Sequence, residues 1–153
     1  MPEQDPFLIQ PEVWFAVLCE RASHDAEKRI QLINVFNRWY MDRPPEASGI
    51  RPHAHVRADL AVGVSAGLGE FTGNIEIQDV DGRVLSSTPA IWRFAMGPGE
   101  TMGATLFANV DHWFSEIGNY FFIVRLQPGG LEVRVRLEIA ERPDAKSAGT
   151  PST

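Results

Sequence analysis

Cysteine is nearly absent from this chain: Cys19 stands alone, which excludes an internal disulfide and a cysteine-built zinc site. It lies in the apolar run Val13-Trp14-Phe15-Ala16-Val17-Leu18-Cys19, where a free thiol serves as a small buried hydrophobe. Long apolar runs are missing too. None approaches the ~20 residues that span a bilayer, so no membrane partner is expected. Basic charge is scarce, with 14 Lys and Arg against 20 Asp and Glu and a formal net charge of -6. That balance speaks against nucleic acid, whose phosphates reward a basic surface. The opening Met1-Pro2-Glu3-Gln4-Asp5-Pro6 is acidic and proline-broken, unlike a secretory signal, and predicts a cytoplasmic protein. No phosphate loop, dinucleotide fingerprint, HExxH or CxxC occurs, so no cofactor is expected.

What is present is alternation. At 153 residues the chain has the size of one domain, and such a domain buries roughly 70% of its unfolded surface without a staple. The clearest strand is the last: Leu131, Val133, Val135, Leu137 and Ile139 face one way, and Glu132, Arg134, Arg136 and Glu138 the other. Such a pattern puts one face on a core and one in water. Tyr120–Leu126 alternates likewise, and Pro128-Gly129-Gly130 between the two runs marks a hairpin. Asp81-Gly82 predicts a second hairpin through a type I′ turn. Val56–Val64, Met102–Ala108 and Trp92–Met96 supply further strands, while Val13–Glu20, apolar on both faces, belongs in a central position. Glu27–Tyr40 admits a helical stripe through Leu32, Val35, Phe36 and Trp39. Its β-branched residues and asparagines favour strand instead.

The expected fold is therefore all-β: a single antiparallel β-sandwich of eight or nine strands, immunoglobulin-like in general shape. Residues 1–12 form an N-terminal extension, 13–140 the sandwich, and 141–153 a disordered polar tail. Met41–Pro52 reads as a long exposed loop, and so does Asp111–Gly118.

Two patterns touch chemistry. Gly63-Val64-Ser65-Ala66-Gly67 matches the G-x-S-x-G elbow, and Asp111 and His112 follow it. Yet the elbow needs a strand-to-helix turn on a parallel scaffold, and Leu68–Gly73 is no helix. His53-Ala54-His55 sets two imidazoles on one side of a strand, half of a metal site whose third ligand would be His112, Asp111 or Glu116. Solvated strand-end histidines explain the pair as well, and no metal is expected. Asp79-Val80-Asp81-Gly82 lacks the carboxylates that a calcium loop carries first and last.

The segment Gly118-Asn119-Tyr120-Phe121-Phe122 resembles the tyrosine corner of immunoglobulin-like sandwiches, which implies a tyrosine hydroxyl tied to an upstream backbone group. More broadly, Trp14–Glu20, Ile33–Arg38, Asp79–Gly82 and Gly118–Val124 resemble a family of small uncharacterised bacterial β-sandwich proteins, a domain of unknown function. The resemblance implies fold, and strand for Ile30–Phe36, with no functional residues to carry over. The function expected is a non-catalytic binding or assembly module, with a metal-dependent or serine hydrolase as the alternative. Its partner would be another protein or a second copy. Recognition is expected at a sandwich end, through Trp113 and Phe114 with Arg51, His53 and His55, because loops gather there and aromatics with arginines dominate interface energetics.

Overall fold

A computed structural model describes residues 12–27, 29–65, 69–94 and 104–143. Among the described residues nine strands follow one another: β1 Glu12–His24, β2 Ile30–Phe36, β3 Arg38–Met41, β4 Ala54–Ser65, β5 Gly69–Gln78, β6 Val84–Phe94, β7 Ala104–Phe114, β8 Gly118–Gln127 and β9 Leu131–Glu141. Within the ambiguous segment, Ile30–Phe36 and Arg38–Met41 are strand, as β-branched residues favour, with Glu27 in a turn and Asn37 at a bend between the two strands; β1 lies between β2 and β4. Met96, Met102, the segment 1–11 and the tail beyond Pro143 lie outside the described residues.

The strands form two sheets, ordered β2-β1-β4-β7 and β3-β9-β8-β5-β6. Their inner faces meet in one core, to which Leu18, Val56, Leu60, Phe71, Phe122, Val124, Leu137 and Ile139 all contribute. The order is immunoglobulin-like. β4 sits between β1 and β7, as strand B sits between A and E, and β8 between β5 and β9, as F sits between C and G. No helix among the described residues is long and apolar enough to cross a membrane.

The tyrosine corner is formed. Tyr120, third residue of β8, is buried and donates its hydroxyl to the Glu116 carbonyl at 2.8 Å. Phe122, two residues on, fills the core where immunoglobulin domains place a cysteine.

Four expectations need correction. The sandwich is not wholly antiparallel, because β3 runs parallel to β9; after Phe36 the chain crosses to the second sheet, where Glu138 N–H donates to the Asn37 carbonyl. Met41 is a buried end of β3 rather than loop. The Asp79–Arg83 hairpin is not type I′, since Gly82 has positive φ and Asp81 does not. Instead Gly82 N–H donates to the Asp79 carbonyl, and the Asp79 carboxylate accepts from Asp81 and Arg83 N–H; the carboxylate favours a type I turn with a left-handed glycine after it. Lastly, Asp111–Phe114 is not loop but the end of β7.

Candidate functional site

The two sheets differ on their outer faces. That of the second sheet is ionic: Arg125 binds Glu76 and Glu132, Arg134 binds Glu132, and Arg38 binds Glu138. That of the first sheet is apolar towards one end, where the Phe15 ring lies across Gly63 and Cys19 and Ala61 are fully buried. Cys19 is a free, buried thiol, and burial, then the Asp59 carboxylate, push it above its usual value, which disfavours the thiolate.

At the other end of the same outer face lies an aromatic and charged cluster. It follows from strand register. His55 stands opposite Trp113, and Arg57 opposite Asp111. His53 exchanges both backbone bonds with Asp42, so by alternation Ala54 bonds to β7 and His55 turns its backbone away from it. His55 and Trp113 are thus a non-hydrogen-bonded pair, where side chains come closest. Their rings stack at 3.8 Å with 12° between planes, and His53 approaches Trp113 at 5.1 Å. His55 Nε2–H donates to Asp111 Oδ1 at 2.6 Å, and Arg57 Nε lies 3.8 Å from Asp111 Oδ2. The result is an indole 59% exposed whose plane is fixed by neighbours that are themselves fixed.

Phe114, its chain neighbour, has the opposite fate. It is 2% exposed and packs on Tyr120 at 4.5 Å and on Phe122 at 6.4 Å. Consecutive strand residues point to opposite faces, so only Trp113 of the pair belongs to the surface. Arg51 is exposed at the rim of a neighbouring cleft with Met41, Arg43 and Ile117, and its carbonyl contacts His53 Nδ1 at 3.0 Å. Asp111 and Arg57 belong to this cluster although neither is among the residues expected at the recognition surface, Asp111 being considered only as a metal ligand or triad member. The alternation Arg57/Asp59 against Asp111/Trp113 held the signal, but reading Asp111–Gly118 as loop hid it.

The histidines do not converge. His112 points inward from β7, edge-on to Phe114, and burial lowers its pKa; His53 and His55 point outward. No group of three His, Cys, Asp or Glu among the described residues could hold a metal ion. The serine constellation is dispersed as well. Ser65 ends β4 opposite Glu12, whereas His112 pairs with Val56, nine residues along the strand or roughly 30 Å at ~3.3 Å per residue. Asp111 is engaged with His55, on the face opposite to His112. Ala66 and Gly67 lie outside the described residues. An active-site serine probe is therefore expected to leave Ser65 unlabelled; stoichiometric labelling that Ser65→Ala abolishes would overturn this geometry.

No family model, curated protein or solved structure matches the chain. A sandwich hosts many unrelated functions, so function has to be argued from this cluster and not from the fold.

Proposed function

We propose that the protein is a binding or assembly module without chemistry of its own, and that it recognises a protein partner through the Trp113 end of the first sheet's outer face. The observation that supports this reading is the state of Trp113, at once exposed and held against His55. Ordering a side chain at an interface costs about 0.5–1.5 kcal/mol, and a ring already held in place avoids that cost. Tryptophan and arginine are also the residue types most enriched among binding hot spots. Arg57, exposed beside Asp111, and Arg51 at the adjoining cleft supply charge at the rim, where it steers encounter and sets orientation.

The test compares wild-type protein and Trp113→Ala, both shown to be folded by circular dichroism, as bait for partners from the native cell. A partner found on the wild-type protein should be held by the variant roughly 30-fold more weakly, as for a hot spot of about 2 kcal/mol. Equal affinity of the two folded baits would overturn the assignment of this surface.

A further inference from the structure

Each sheet has two edges, and three of the four are guarded. β6 carries Pro89 in its middle, and proline on an edge blocks further pairing. β3 is four residues long and bears Arg38. β2 is interrupted by Asn34, whose positive φ bends a strand of only seven residues out of line. β7 has none of these devices. It spans eleven residues with no proline, lysine or arginine, and among the described residues no strand pairs with its second edge. By the alternation that points Ala54 at β7, the N–H and C=O groups of Asn109, Asp111 and Trp113 point away from β4, towards that open edge.

We propose that β7 is a docking edge for β7 of a second copy of this chain, the two strands pairing antiparallel about a two-fold axis at Asn109. Asn109 is the middle residue of Ala104–Phe114, so the register that overlaps the whole strand sets it opposite itself. Its carboxamide donates one N–H to Asp59 Oδ1 at 3.5 Å; with a second N–H and an acceptor oxygen besides, an amide is self-complementary across such an axis. Asp111, the one charged residue of the strand, then faces position 107 and Trp113 faces position 105. No like charges meet across the axis, the condition that cross-strand pairing sets. An edge that is neutral at its centre and carries its single charge off the axis fits its own copy. The chain's net charge of -6 would instead be met by a basic strand if β7 served an unrelated partner, and β7 itself offers only one carboxylate to such a strand. The inference stands apart from the reading of the Trp113 surface, since it uses backbone groups and the strand's centre.

Sedimentation equilibrium of the full chain tests it. Wild-type protein is expected to show a reversible monomer–dimer equilibrium, and Asn109→Pro to sediment as monomer with an unchanged circular dichroism spectrum, because the proline removes an outward N–H and spares the β4 ladder. Asn109→Lys, which sets two ammonium groups against each other at the axis, should likewise raise the dimer dissociation constant at least tenfold. Ser87→Lys on β6 should leave it unchanged. Wild-type protein that stays monomeric across the concentration series, or a dimer that survives both Asn109 variants, would overturn the proposal. Either outcome leaves the capture experiment with Trp113→Ala to be read on its own.

Discussion

Gly73→Ala is expected to destabilise the protein by ~4 kcal/mol or more, enough to unfold a marginal domain. A Cβ on Gly73 would sit 1.7 Å from the Arg125 carbonyl oxygen and 2.7 Å from its carbon. Those atoms are backbone of β8, the middle strand of its sheet, and cannot step aside as a side chain does. Gly73 is paired to Leu126 of β8 on one side and to Ala90 of β6 on the other, so relief at one seam opens the other. Gly63 makes an instructive contrast. A Cβ there would meet the Phe15 ring at 2.1 Å, and a ring can swing away at an overpacking cost of about 1–2 kcal/mol. Chemical denaturation of both variants separates the cases. A Gly73→Ala midpoint no lower than that of Gly63→Ala would show that β5 and β8 do not approach as closely as described.

Tyr120→Ala should cost ~3–5 kcal/mol through the cavity left beneath β7 and β8, and Tyr120→Phe about 1 kcal/mol through the lost hydrogen bond alone. The ring is buried against Phe114 and the hydroxyl closes the corner on Glu116. Burial first, then the carboxylates of Glu116 and Asp79, raise the phenol above its usual value. Folding therefore favours the neutral form. That contribution is whole below the unfolded pKa of about 10 and is lost as pH rises through the higher folded value. Tyr120→Phe should accordingly flatten the alkaline loss of stability. An unchanged midpoint for Tyr120→Ala would place the residue on the surface and discredit the corner.

Most of the architecture was legible because period-two alternation reports a half-buried strand directly. β9 displays it throughout, with alternate residues buried, and β4 points Val56, Ala58, Leu60, Val62 and Val64 into the core as its pattern predicts. Alternation is harder to see where one face mixes chemistries. Asp111-His112-Trp113-Phe114 carries a charge, an imidazole and two aromatics in four positions, and its alternation is geometric without being hydrophobic. What sets Asp111 and Trp113 outward is their pairing with Arg57 and His55, a relation more than fifty residues away in the chain. The parallel seam of β3 with β9 was hidden for the same reason, since Arg38 and Glu138 lie a hundred residues apart. The Asp79 turn misled differently. Asp-Gly suits a type I′ turn, but the upstream carboxylate bonds two following N–H groups and selects another turn.

The pair Trp113 and Phe114 carries the central claim, that one ring of the two serves folding and the other recognition. Denaturant melts of Trp113→Ala and Phe114→Ala, made side by side, test it most directly. Phe114→Ala should lose ~3–5 kcal/mol, the cost of truncating a core phenylalanine. Trp113→Ala should lose about 1 kcal/mol at most, the worth of an exposed stacked aromatic pair. Its fold should otherwise be intact. A loss of several kcal/mol for Trp113→Ala, equal to that for Phe114→Ala, would make Trp113 part of the core and contradict the account.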